Sequence, residues 1–339
     1  MSQSRNLDLL RALAVLFVFV SHLVLTLTPG HELGEAVHTP WIALLYGLGN
    51  IGVLFFFVHT SLVLMLSMER RRSTSLFVDF YVRRIFRIYP LSIACILVAL
   101  LLRIPFVPRV EFVFPTATTI LSNLLLIQNL TEAKEIISPL WTLPREVQMY
   151  AILPVLFAML RSSKSVLLVL ILWAGAALAA LFANILIFVP CFMGGVLAYQ
   201  LSRRKTLSVP AYFWPVALLL LVSVQLAIQP NTASDIRQSW VLCLVAGGLV
   251  PNFRELSPSW LTSASHIVAR YSYGIYLFHL PVIWFVFIKL DFLPSWLQWI
   301  SLCVLMCVIP WMAYTHLESP MIKTGGRIAN RSNRATLIH

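Results

Sequence analysis

Apolar residues along the chain come in long blocks separated by short polar and basic intervals. Blocks near the 20-residue length that a bilayer-crossing helix needs cover residues 7–28, 42–67, 88–107, 141–160, 166–183, 185–201, 212–228, 239–250, 271–290 and 297–316. This pattern predicts an all-α, polytopic integral membrane protein with about ten transmembrane helices. The eighth block is short, and the fifth and sixth nearly touch. Thr118–Leu130 is too short, and too interrupted by Asn123, Gln128 and Asn129, to span; it reads as a re-entrant or interfacial helix. No period of 20 to 50 residues repeats, which disfavours an inverted-repeat transporter.

Composition supports the same class. Apolar residues make up 59% of the chain and charged residues 11%, against roughly 25% charged in a soluble domain. The net charge of +12 would suit nucleic acid if it formed one patch, but it collects in short loops between apolar blocks, so no nucleic-acid partner is expected. The loop charges also set a direction. A cytoplasmic N-terminus puts eighteen of the 25 Lys and Arg on that side, among them Arg5, Arg70–Arg72, Arg83, Arg84, Arg87 and Lys205, and leaves Arg103, Arg109, Lys134, Arg237 and Lys289 opposite. Both termini are then cytoplasmic. One membrane-embedded domain over 1–339 is expected, with about 318–339 a basic cytoplasmic tail, disordered over 325–339, and no separate soluble domain. The first block contains ionisable groups and no small-residue cleavage site follows it, so it reads as a retained helix rather than a signal peptide.

That first block, Asn6–Thr28, holds Arg11 and His22. Ionisable side chains at membrane depth are costly and therefore functional candidates. Eleven residues make almost three helical turns, so the two share a face about 16 Å apart along the axis. The structural alternatives are an arginine reaching out to the surface and a histidine bonding between helices. In the second block Gly47, Gly49 and Gly52 allow close backbone approach, and the role of His59 is open. The most basic interval, MERRRSTSLFVDFYVRRIFRIYPL, reads as a loop and carries Arg83, Arg84 and Arg87 within five residues, Arg84 and Arg87 at the i, i+3 spacing of neighbours on one helical face. Guanidinium forks match phosphate oxygens, so Arg84 and Arg87 suit a polyphosphate arriving from the cytoplasm, whereas Arg70–Arg72 suit topology and anionic lipid. Glu146, followed by Gln148 and Tyr150, enters the fourth block from the opposite side. There a carboxylate could orient His22 and stabilise its protonated form. It could equally pair with Arg145 at a helix start. Tyr273, Tyr276 and His279 in the ninth block suit structural hydrogen bonding.

Several chemistries lose support. No GxSxG, Walker, HExxH or GxGxxG motif occurs. The five cysteines, Cys95, Cys191, Cys243, Cys303 and Cys307, lie in apolar stretches without a CxxC, and read as small buried hydrophobes; neither a disulfide framework nor a metal site is expected.

Six pieces in order resemble the membrane-bound acyltransferase-3 family: LDLLRALAVLFVFVSH, with its Arg, ten residues, His spacing; GVLFFFVHTS; YVRRIFRIYP, an RxxR signature; LWTLPREVQMY, near a Trp-Ser-Leu-Ser-x-Glu-x-Gln-x-Tyr pattern; SYGIYLFHLPV; and HLESPMIK. Members move acyl groups, commonly acetyl, onto hydroxyls of envelope sugars, lipids or antibiotics. The resemblance implies an O-acyltransferase of the bacterial cytoplasmic (inner) membrane that takes acyl-CoA as co-substrate and a saccharide or lipid-linked glycan as acceptor. It implies a catalytic His22 supported by Arg11 and Glu146, with Arg84 and Arg87, beside Arg83, on the acyl-CoA side. Leu54, the His59–Thr60–Ser61 run, Pro144 and Val147 depart from the family pattern, and bear on the acceptor pocket more than on donor chemistry. The competing classes are a carrier or flippase for acylated glycans, which would move substrate without consuming acyl-CoA, and a scaffold, which needs no buried histidine.

Overall fold

The computed structural model describes residues 4–28, 40–70, 76–204, 207–228 and 236–336; Arg71, Arg72 and Lys205 of the expected cytoplasmic charge lie outside them, as do the side chains of Arg331 and Arg334. The described residues form twelve α-helices: α1 (Arg5–Leu27), α2 (Pro40–Glu69), α3 (Leu76–Leu101), α4 (Ala117–Leu124), α5 (Thr142–Leu160), α6 (Val166–Phe182), α7 (Val189–Ser202), α8 (Phe213–Ile228), α9 (Ile236–Leu249), α10 (Trp260–Trp284), α11 (Ser295–Ala313) and α12 (Ser319–Thr336). Among these residues no strand forms, and the one isolated bridge joins Val209 to Phe253.

Each apolar block carries helix, but seven helical stretches, where about ten were expected, are long and apolar enough to cross a membrane. Within the described residues α6, α8 and α9 cover 17, 16 and 14 residues. An apolar block counts residues, whereas crossing needs unbroken hydrogen-bonded rise. The block at 239–250, for example, ends in a 3-10 turn over Val250–Asn252 that contains Pro251.

The chain divides into two compact units, one of Met1–Glu69 and Ile152–Arg270, the other of Arg70–Ala151 and Tyr271–His339; the divisions fall at the end of α2 and inside α5 and α10. In the first unit, small residues bring helices together, as they do where lipid removes the hydrophobic drive between them. A Cβ on Gly52 of α2 would overlap the carbonyl oxygen of Ala14 on α1, and one on Gly247 of α9 would overlap that of Gly194 on α7. Between α2 and α7, Ser61 Oγ donates to Phe192 O at 2.7 Å, and Phe57 stacks on Phe192 with centroids 4.2 Å apart. The start of α1 is anchored by a loop: Glu255 accepts from Ser4 Oγ at 2.6 Å and from Arg5 N at 2.9 Å, and buried Asn6 bonds Arg254 O and Leu256 N.

In the second unit, α3 begins twelve residues before the apolar block that announced it, so the interval that reads as a loop is largely helix, and Arg84 and Arg87 stand on it at the expected helical spacing, with Arg83 beside them. The segment around α4 is fixed by buried amides: Asn123 Nδ2 donates to Lys134 O at 2.9 Å, and Gln128 Nε2 to Leu140 O at 3.1 Å. The expected disordered tail is the helix α12 as far as Thr336, which corrects that expectation. Its contact face is built from Gly325, against Phe86 of α3, and fully buried Ala329 one turn on. Small residues pack closely yet add little hydropathy, so the apolar pattern missed this helix. Two stretches widen into π-helix, Phe285–Lys289 after α10 and Tyr314–Glu318 after α11.

Candidate active site

In the first unit, α1 runs unbroken over 23 residues from an N-cap at Ser4, whose side chain accepts from Leu7 N. The helical separation of Arg11 and His22 therefore holds, at about 16 Å along the axis on one face. Both side chains are half-buried. His22 Nδ1 lies 3.0 Å from Val18 O. A carbonyl only accepts, so Nδ1 carries the proton and the ring's basic electron pair is on Nε2. Thr26 Oγ1 donates to His22 O at 2.9 Å and steadies the backbone below the ring.

One turn before Arg11, Asp8 is buried, and its Oδ2 lies 2.9 Å from His266 Nδ1, whose other nitrogen lies 2.9 Å from Arg270 Nη2. Arginine only donates, so Nε2 accepts there and Nδ1 donates to Asp8. Sequence reasoning passed over Asp8 and His266. An acid in a first helical turn has a ready explanation in the helix dipole, and no spacing joins it to a histidine 258 residues away.

In the second unit, Glu146 on α5 accepts from Tyr150 Oη at 2.6 Å, one turn along the same helix. This length is typical of a hydroxyl donating to an ionised carboxylate. Tyr150 is buried edge-on to Phe80 of α3, with centroids 6.0 Å apart, and Arg84 follows Phe80 by one turn on that helix. Gln148 Nε2 donates to Asn129 Oδ1 at 3.0 Å, tying this face of α5 to the segment after α4.

The flanking arginines are differently engaged. Arg83 donates from Nε to Asp79 Oδ1 at 2.9 Å and from Nη2 to Asn330 Oδ1 on α12 at 2.7 Å. Arg87 Nη1 lies 2.5 Å from Glu318 Oε1, and its guanidinium sits over the Tyr273 ring at 5.9 Å. A phosphate reaching either would have to displace a carboxylate already in place. Tyr273 and Tyr276 have the structural roles expected, donating to Ile88 O at 2.8 Å and to Pro139 O at 2.9 Å, and His279 Nδ1 to Tyr276 O at 2.7 Å. His59 is buried within α2. Among the described residues, no group of His, Cys, Asp or Glu could hold a metal ion.

A family model described as an acyltransferase domain, that of acyltransferase-3, matches residues 4–315 of the 339. The chain belongs to the acyltransferase-3 family. Its matched region takes in both parts described above, Asp8, Arg11 and His22 on α1 and Glu146, Tyr150 and Arg84 in the second unit, and ends just inside the π-helical stretch that carries Glu318. The protein is a membrane acyltransferase with several membrane-crossing helices. Neither a curated protein nor a solved structure matches the chain significantly.

Proposed function

We propose that this acyltransferase-3 protein moves an acyl group, in the first instance acetyl, from cytoplasmic acyl-CoA to a hydroxyl of an envelope saccharide or lipid-linked glycan. The observation that carries the reading is the state of His22: a ring held in the bilayer by Val18, its basic nitrogen on the side away from that bond. The acceptor O–H gives its proton to Nε2, and the oxygen attacks the thioester carbonyl carbon. The C–S bond then breaks, and the thiolate leaves with the proton from His22 as free CoA thiol. Glu146, which accepts from Tyr150 Oη, keeps the supporting role that the family resemblance implies. Arg11, about 16 Å from His22 along the axis, keeps its supporting role, and Arg84 is assigned to the phosphates of the donor. Arg83 and Arg87, which share the donor assignment by sequence, are engaged on either side of Arg84: Arg83 with Asp79 of its own helix and Asn330 of α12, and Arg87 with Glu318. Both termini are placed in the cytoplasm of a bacterial cell and the protein in its inner membrane.

Purified protein in lipid nanodiscs, given acetyl-CoA labelled in the acetyl group and an acceptor glycan, tests this. Labelled acceptor and an equal amount of free thiol are expected. Movement of acceptor across the bilayer with no thiol released would make the protein a carrier. Labelling of cysteines placed near residue 2 and after Thr336 by a membrane-impermeant reagent checks the direction, and reaction in intact cells would refute it.

A further inference from the structure

The second unit holds a cavity of about 460 Å³ that the acyl-transfer reading does not use. This is within the size range of small-molecule sites. Three cations line it, Arg103, Arg109 and Lys289, with one carboxylate, Glu111, and the rings of Phe112 and Trp284. Lys289 Nζ stands 5.2 Å from the centroid of Trp284, which is buried.

Three features set this cavity apart from a chance gap. In the direction that the loop charges favour, these cations are three of the five on the minority side. Topology works against basic residues there, so it does not account for their gathering. The backbone of Arg103 is left-handed, with φ of 52°, as it closes α3 with a bond from Ile104 N to Ala99 O at 2.8 Å. Glycine adopts that conformation without cost, and a long side chain is kept there against it. On the opposite wall, Lys289 and Ile288 belong to the π-helical stretch Phe285–Lys289, an irregularity concentrated at functional sites. Two local departures from regular helix thus aim charge into one space.

We propose that this cavity binds a phosphate-bearing group. Two guanidinium forks and an ammonium give the paired and single donors that phosphate oxygens take, and exceed the single carboxylate in charge. The apolar part of the ligand lies on Phe112 and Trp284. A phospholipid headgroup and a phosphorylated sugar present the same chemistry. Binding here does not depend on acyl transfer, so either statement can fail alone.

The test uses the full-length protein and two probes. Glucose 1-phosphate is titrated against protein in phosphatidylcholine nanodiscs, with glucose as its neutral counterpart. Phosphatidylglycerol is competed against phosphatidylcholine on detergent-solubilised protein by native mass spectrometry. At least one phosphate probe is expected to bind tenfold or more tightly than its counterpart, and the probe that does so identifies the source. The triple variant Arg103→Gln, Arg109→Gln, Lys289→Gln should lose that preference. Arg103→Gly separates binding from structure: it removes one charge and relieves the left-handed backbone, so Tm should hold or rise while affinity falls severalfold. Equal binding of charged and neutral probes, or an Arg103→Gly protein with unchanged affinity, overturns the proposal.

Discussion

Removing Arg87 should damage the second unit more than removing its partner. The Glu318 side chain is fully buried, at 0% exposure, whereas that of Arg87 keeps 22%, and the two meet at 2.5 Å. Arg87→Met leaves a carboxylate enclosed without its cation, a change that costs about 3–5 kcal/mol when a buried pair is broken. Glu318→Gln leaves instead a guanidinium that can turn toward solvent and still bond the amide, so about 1–2 kcal/mol is expected. Arg87→Met with Glu318→Met removes both charges and should recover most of the loss, since a buried pair and its apolar replacement are often near parity. Reversible unfolding of the parent and the three variants in mixed micelles, with Glu318→Met added to close the double-mutant cycle, gives these values. The double variant also divides two roles for Arg87. If the arginine holds structure, the KM for acetyl-CoA in the double variant stays within about twofold of the parent, on the order of 0.4 kcal/mol, while Arg84→Met raises it. A single Arg87→Met protein as stable as the parent would refute the pairing. A stable double variant with a strongly raised KM would return Arg87 to the donor site.

Other outcomes follow from the same geometry. Tyr150→Phe removes the hydroxyl that donates to Glu146; a bond to a charged group is worth about 1.5–3 kcal/mol, so kcat/KM should fall about ten- to a hundredfold, and unchanged kinetics would separate Tyr150 from the reaction. Gly52→Ala forces a Cβ onto the Ala14 carbonyl, backbone that has no room to give, and should cost about 1–3 kcal/mol by unfolding in micelles. Gly175→Ala in α6, where nothing lies within 4 Å of the added atom, should be neutral or stabilise by about 0.5–1 kcal/mol; equal losses at both glycines would refute the close packing of α1 on α2. Asp8→Leu strips the acceptor from His266, which keeps some access to water, so a loss of about 1 kcal/mol is expected, together with a shifted His266 ring resonance in NMR.

What the sequence made legible depended on whether chemistry and chain position coincide. Arg11 and His22 lie on one helix, so their shared face followed from 3.6 residues per turn, and α1 holds it. The close approach predicted for the glycines of α2 is met at Gly52 and Gly49, the latter against Ser21. Partners distant in sequence were not legible: nothing ties Arg87 to Glu318, or Asp8 to His266, before the fold brings them together. Hydropathy counts about ten crossings where seven described stretches are long and apolar enough to span, and it passed over α12, whose contact face is Gly325 and Ala329. It also set the start of α3 at residue 88, because the amphipathic first half of that helix carries the arginines that made it look like a loop.

The account turns on the imidazole of His22. In a single-turnover reaction with saturating acetyl-CoA and acceptor, His22→Ala at equal folded-protein level should slow the release of CoA thiol by about 10²–10⁴, the typical worth of a positioned base, while donor affinity is unchanged. Thiol release at the parent rate from a folded His22→Ala protein would contradict the mechanism.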